Sequence, residues 1–375
     1  MRRSRIKGLL ISVTSTLVLL AMAELALRLF TASDLPAGGG DPKSRAQPEK
    51  RMDVRQHVRV HCRSKIAGLF YELNPGSSVV IDDAPNAINS HGMRDGDVAR
   101  QKAGGVFRIA VVGDSLTYGW RVAIEDCYVK KLEALLNEKS ARARETAAEG
   151  KGFEVLNFGV SGYNTEQELI VLREKVLGFE PDLVIVGFVP NDILFSTSVE
   201  AIVFAKGDPA FGRQAREAAK LLDEYTPRKA RDVLPPWLAW SKLIRLAWQS
   251  VENARKGDFL LNYYRNEERW AALENALREI KALLDEKEIP VFVALIPEDY
   301  RILFNKGRDE IHKKLTAALR EIGFPYIDLV HEYEGHSVED LIINDQDPHP
   351  NAYGHTIAAQ AIHQALVTEE LVPLL

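Results

Sequence analysis

Phe107-Arg-Ile-Ala-Val-Val-Gly113-Asp-Ser115-Leu-Thr-Tyr-Gly119 is the stretch that decides the fold class. Its first six residues are a short run rich in apolar and β-branched side chains, closed by glycine, an acid and a serine. By length and composition such a run reads as a buried strand. Three more of the same kind follow: Phe153-Glu-Val-Leu-Asn-Phe158, Asp182-Leu-Val-Ile-Val-Gly-Phe-Val189 and Pro290-Val-Phe-Val-Ala-Leu-Ile296. Tyr326-Ile-Asp-Leu329 is a shorter fifth. Helical stretches lie between them, one running on from the serine through Leu136 and another over about residues 165–177. A third presents Trp270, Leu273, Leu277, Ile280 and Leu284 along one apolar face. Strands alternating with helices predict an α/β fold, a parallel sheet covered on both sides.

Outward from this core the pattern loosens. Residues 60–98 hold short apolar stretches broken by Asn74-Pro75-Gly76 and by Asn89-Ser-His-Gly92, and read as an irregular lead-in packed on the domain. Residues 194–261 interrupt the alternation as a long, mainly helical insertion carrying Pro235-Pro236-Trp237, Trp240 and Trp248. It reads as helices packed over one edge, with a lid or substrate platform as the alternative. The expected domain therefore spans residues 60–375.

The other end of the chain carries a location signal. Met1-Arg-Arg-Ser-Arg-Ile-Lys7 is basic and precedes an uncharged apolar run from Gly8 to Ala23. That order reads as an export signal with its N-terminus in the cytoplasm. A helix from Ile6 to Leu27 would be just long enough to span, at roughly 20 residues needed. We expect residues 1–30 to act as a transmembrane anchor, with cleavage at Ala21-Met-Ala23 as the alternative. Residues 31–59, rich in Gly, Pro and charge, read as a flexible linker. In either case the catalytic domain is expected outside the cytoplasm, periplasmic or extracellular.

Composition excludes several classes. A net charge of −5 and no stripe of Lys/Arg with aromatics argue against nucleic acid as a partner. Cys62 and Cys127 are far apart and form no CxxC pair, so they suggest neither a metal site nor a disulfide framework. No histidine pair has the spacing of a metal centre.

In an open parallel sheet, ligands bind beyond the carboxyl ends of the strands, so the residues just after each run carry the functional information. After the first run comes Ser115, on a turn from strand into helix. After the second comes Gly159-Val-Ser-Gly162, a turn in which a glycine N–H can approach a substrate. After the third comes Pro190-Asn191-Asp192, which offers an amide donor. Near the C-terminus, before the last helix, lies Asn344-Asp-Gln-Asp347-Pro-His349. Together these blocks supply a nucleophile, oxyanion-hole donors and a base with its acid. Asp114 reads as structural, bonding loop amides.

The four blocks, in this order, resemble the SGNH/GDSL hydrolase family over roughly residues 100–372. The resemblance implies a flavodoxin-like three-layer α/β/α sandwich with a mainly parallel five-stranded sheet. It also implies Ser115 as nucleophile, His349 as general base, and an oxyanion hole of the Ser115 and Gly162 N–H groups with the Asn191 side chain. Gly159 is the alternative to Gly162. One departure stands out: the family's commonest spacing is Asp-x-x-His, and here that acidic position is Gln346. Relatives acting on polysaccharide acetyl groups use Asp-x-His, which selects Asp347, with Asp345 as the alternative. The implied activity is hydrolysis of ester-linked acyl groups, acetyl or longer, on extracytoplasmic glycans or lipids, with no cofactor. An O-acyltransferase using the same residues, or a non-catalytic glycan-binding protein on the same fold, is the rival reading.

Overall fold

Five parallel strands form the centre of the computed structural model: β1 (Val106–Gly113), β2 (Gly152–Asn157), β3 (Leu183–Phe188), β4 (Val291–Leu295) and β5 (Tyr326–Asp328). Their order across the sheet is β2-β1-β3-β4-β5. The structure describes residues 59–81, 84–143, 152–196, 198–225, 228, 230–256, 259–297, 306–344 and 347–373. The expected anchor over 1–30, the linker over 31–59 apart from residue 59, and Asp345 lie outside the described residues. Among the described residues no helix is long and apolar enough to cross a membrane.

The inner strands β3 and β4 are buried on both faces throughout and β1 from Ile109 onward, which is why these runs read as continuously apolar, while the edge strand β5 is half-buried. Ile109 and Val111 of β1, Leu183 and Ile185 of β3, and Phe292 and Ala294 of β4 share one core. Helices α1 (Tyr128–Ala143) and α5 (Ala352–Thr368) close that face through Leu132, Leu136, Ala358, Ile362 and Leu366. The alternate residues Ala110, Val112, Val184 and Val186 are equally buried. They face the other layer, where α2 (Thr165–Glu174) packs on β1 and on α3 (Glu267–Glu286), and α3 packs on α4 (Lys306–Ile322). Burying each such Val, Leu or Ile is worth about 1.5–3 kcal/mol, and this two-sided core fixes the sheet that carries the site. The strand order reverses at β1, because the chain goes to β2 on one side and returns to β3 on the other. The switch point between β1 and β3 opens the crevice expected of doubly wound sheets.

Two local expectations are corrected. The helix expected from Ser115 through Leu136 is two helices, Ser115–Tyr118 and then α1. Gly119 (φ 81) and Arg121 (φ 57) turn left-handed and end the first within four residues. The helix expected over 165–177 stops at Glu174 and gives way to a 3-10 turn, Val176–Phe179.

The lead-in holds two short antiparallel pairs, His61–Arg63 with Tyr71–Leu73 and Ser78–Ile81 with Ala84–Ala87. Between β5 and α5 the chain forms a further antiparallel pair, β6 (Ile342–Asn344) and β7 (Asp347–Pro350). Of the expected insertion, the part up to Leu221 belongs to the compact unit that holds the sheet, while Leu222–Phe259 belong to another. Within that second unit Trp248 Nε1 donates to the Arg228 carbonyl at 2.9 Å, and Trp237 and Trp240 are exposed.

Candidate active site

Ser115 stands at the carboxyl end of β1, as the first residue of the Ser115–Tyr118 helix. Asp114 caps that helix, its Oδ1 accepting from the Leu116 N–H at 2.9 Å. The N–H of a first helical residue has no carbonyl one turn back to bond, so the Ser115 N–H is a donor left over beside its own hydroxyl. Ser115 Oγ lies 2.9 Å from His349 Nε2 and 3.4 Å from Asp114 Oδ2. The shorter contact is the one a proton transfer would use.

His349 and Asp347 both sit on β7, two residues apart and thus on one face of the strand. Asp347 Oδ1 meets His349 Nδ1 at 2.5 Å and also accepts the His349 backbone N–H at 3.1 Å. One oxygen is thereby turned toward the imidazole by the strand itself. Burial works to raise the Asp347 carboxyl. Hydrogen bonding and charge from His349, and the Arg121 guanidinium, outweigh it and hold the group well below the usual carboxylate range. Asp345, the alternative acid, lies outside the described residues.

The two glycines of the 159–162 turn have different surroundings. The Gly159 N–H donates to Asn157 Oδ1 at 2.9 Å. A Cβ there would stand 2.4 Å from the Tyr118 nitrogen, so Gly159 is the point where this turn presses on the Ser115–Tyr118 helix. Gly162 has φ 78, and its carbonyl accepts from Ser196 Oγ at 3.0 Å. The hydrogen bonds of this turn run through its neighbours, Val160 to the Gly113 carbonyl and Tyr163 to the Val160 carbonyl. They leave the Gly162 N–H without an acceptor among the described residues.

Asn191 lies in the 3-10 turn Pro190–Ile193 after β3. Its side-chain amide faces the Asp114 carboxylate and favours that group's charged form, and an amide nitrogen carries two N–H groups that can serve a ligand. Asn191 Oδ1 is buried with no partner among the described residues. Asp114 is itself fully buried, and burial raises its carboxyl above the ordinary value. The structure thus brings Ser115, His349, Asp347, Gly162 and Asn191 to the carboxyl end of one sheet.

Several supporting residues carry no motif. Arg94, buried in the lead-in, donates to the carbonyls of Tyr118 (2.9 Å), Gly119, Val122 (2.6 Å) and Pro85 (2.9 Å). Tyr71, also in the lead-in, donates to the Ser161 carbonyl at 2.6 Å and receives Ser198 Oγ at 3.0 Å. The Pro190–Ile193 turn is held by Tyr264, which bonds the Pro190 carbonyl at 2.8 Å, and by Arg269, which bonds the Ile193 carbonyl at 2.8 Å. Only Gly119-Trp-Arg, directly after the serine block, could have drawn notice in the sequence. Trp120 Nε1 and Arg121 Nη1 both reach Asp347 Oδ2, at 3.2 and 2.9 Å.

The remaining ionisable candidates fall elsewhere. Cys62 and Cys127 are free thiols, and burial pushes Cys127 up to about 11. His355 is buried against Tyr128, and burial pushes it down to about 3. Among the described residues no group of His, Cys, Asp and Glu is arranged to hold a metal ion.

The sequence profile of the GDSL-like lipase/acylhydrolase family matches residues 111–357. No curated protein matches the chain. Similar solved structures include TesA, at 15% identity and TM-score 0.40, covering 72% of this chain and 99% of that one. A putative lipolytic protein of the G-D-S-L family from Desulfitobacterium hafniense DCB-2 has 13% identity and TM-score 0.39, covering 69% and 99%. A mutant of Axe2, an acetyl-xylooligosaccharide esterase from Geobacillus, has 16% identity and TM-score 0.39, covering 70% and 94%.

Proposed function

The chain belongs to the GDSL-like lipase/acylhydrolase family and is an SGNH-type esterase, and from that premise we propose that it cleaves ester-linked acyl groups through an acyl-enzyme on Ser115. The observation that carries the assignment of residues is the continuous contact from Ser115 Oγ to His349 Nε2 (2.9 Å) and from His349 Nδ1 to Asp347 Oδ1 (2.5 Å).

Ser115 Oγ attacks the ester carbonyl carbon while His349 Nε2 takes its proton. Asp347 holds the imidazole in the tautomer that accepts at Nε2 and stabilises the imidazolium that forms. The carbonyl oxygen, now negative, collects the Ser115 and Gly162 N–H groups and a side-chain N–H of Asn191. Such donors act where charge develops in the transition state, and each is worth about 100- to 1,000-fold in turnover. His349 returns the proton to the departing alkoxide, and the acyl group stays on Ser115 Oγ. Water attacks the acyl-enzyme by the same route, releasing the acid and restoring the serine.

The substrates of this reading are acetyl or longer acyl esters on glycans or lipids outside the cytoplasm, reached by a domain tethered through its N-terminal segment. The basic Met1–Lys7 stretch and the apolar run after it support that location. The test is hydrolysis of p-nitrophenyl acetate and butyrate by the full chain beside Ser115→Ala. Loss of activity in the variant, with loss of fluorophosphonate labelling, supports the reading. Equal activity in both sinks it.

A further inference from the structure

The short Asp-x-His spacing solves half of an orientation problem. Strand β7 turns Asp347 Oδ1 onto its neighbour's amide and imidazole, but a carboxylate can rotate about its Cβ–Cγ bond unless its other oxygen is also held. That second oxygen meets groups from a distant part of the chain. Arg121 Nη1 lies 2.9 Å from Asp347 Oδ2 and Trp120 Nε1 lies 3.2 Å from the same atom. The Trp120 ring also lies beside His349, with centroids 5.9 Å apart. Opposed contacts on the two oxygens fix the carboxylate plane, and the one to the guanidinium is charge-assisted.

The backbone of Arg121 makes the point independently. Its φ is 57, in the left-handed region, where glycine or asparagine is ordinary and a bulky side chain is uncommon. Glycine would relax that position, so an arginine there points to what its side chain does. The turn is pinned from behind by Arg94, which donates to the carbonyls of Tyr118, Gly119 and Val122 on either side of Trp120 and Arg121.

We propose that Arg121 is a positioning residue for the triad: with Trp120 it binds the outer oxygen of Asp347 and so keeps the inner oxygen on His349. The proposal rests on the Ser115–His349–Asp347 reading above. Arg121 acts through Asp347 and not on the substrate, so its loss should lower kcat and leave KM little changed. A cation on Oδ2 also draws charge away from Oδ1. Its removal therefore loses alignment while slightly strengthening what alignment remains, and the net loss should be moderate.

The test uses the full chain with p-nitrophenyl acetate, comparing the parent, Arg121→Gly, Arg121→Lys and Ser115→Ala. Arg121→Gly removes the backbone strain together with the clamp. The expected result is a thermal midpoint no lower than the parent's, with kcat lower by about 10- to 100-fold, as for a small misplacement of a reacting group. Millimolar guanidinium should restore part of that loss, and Arg121→Lys, which keeps the charge but not the planar fork, should fall between the two. Unchanged kcat in Arg121→Gly, or a loss that guanidinium does not relieve, would overturn the positioning role alone. Activity that survives in Ser115→Ala would overturn the triad reading, and the role of Arg121 with it.

Discussion

Gly159 donates its N–H to Asn157 Oδ1 at 2.9 Å, and that bond separates two glycines that are equivalent by spacing alone. With the Gly159 donor occupied, Gly162 is the glycine of this turn able to serve an oxyanion. A Cβ on Gly162 would meet Ser198 Cβ at 2.6 Å and Tyr71 Oη at 2.9 Å, at a φ of 78 that disfavours any side chain. Gly162→Ala should therefore turn the N–H away and lower kcat/KM by about 100- to 1,000-fold. Gly159→Ala would press on the backbone of Thr117 and Tyr118, and should appear first as a lower thermal midpoint. Esterase assays and thermal unfolding on both variants check this. A Gly162→Ala enzyme as active as the parent would remove that N–H from the oxyanion hole.

Asp347 touches His349 twice through Oδ1, at the ring and at the backbone. Asp347→Asn keeps the shape but can present an N–H to Nδ1, which favours the wrong tautomer of the imidazole. In a serine triad that change costs about 10,000-fold in kcat, and we expect a loss approaching it here. Asp345→Asn should leave kcat within a few-fold of the parent, by the same argument. The reverse ranking in a p-nitrophenyl acetate assay would transfer the acid's role to Asp345.

The sheet was legible because parallel strands buried on both faces leave uninterrupted apolar runs, and β1 to β5 fall within a residue or two of the expected spans. The placement of Ser115, Asn191 and His349 was legible because each follows such a run or precedes the last helix. The strand that carries Asp347 and His349 was not. Asp-Pro-His-Pro has two residues unable to donate to a ladder, and it survives as a strand only in a two-stranded pair. Nor was Arg94 legible, since a guanidinium bonding carbonyls 24 to 28 residues away has no local pattern. The break at Gly119 was hidden for a related reason: the Arg121 φ of 57 opposes its residue type, and the side chain's contact with Asp347 accompanies that conformation.

Arg94 also predicts a stability effect distinct from catalysis. It is fully buried, and each of its two terminal nitrogens serves two carbonyls, Nη1 those of Tyr118 and Gly119 and Nη2 those of Pro85 and Val122. Arg94→Met would leave those acceptors unpaired at about 1–3 kcal/mol for each that water cannot reach. Relief from burying a charge offsets part of this, and a net loss of at least about 3 kcal/mol is expected. Arg94→Lys should recover little, because one ammonium cannot bridge both pairs. Denaturant unfolding of the three proteins measures it, and parent-like stability in Arg94→Lys would contradict the forked role.

Glu168 of α2 is buried, and neither of its carboxyl oxygens has a hydrogen-bond partner among the described residues. Burial first, and then the negative charge of Asp114, push its carboxyl well above the ordinary carboxylate value. An acid raised in the folded state keeps its proton after the unfolded chain has lost it. Between the ordinary value, near 4.5, and the raised folded one, the native state binds more protons and stability falls as pH rises. Below that window both states are protonated and the cost vanishes. Glu168→Gln imitates the protonated acid but cannot ionise, so the variant should match the parent near pH 4 and exceed it at pH 7. The gain should grow as pH rises from 4 to 7. Urea titrations at both pH values give the answer: a stability difference that does not change with pH would mean that Glu168 is ionised in the folded protein, with a counter-charge holding it there.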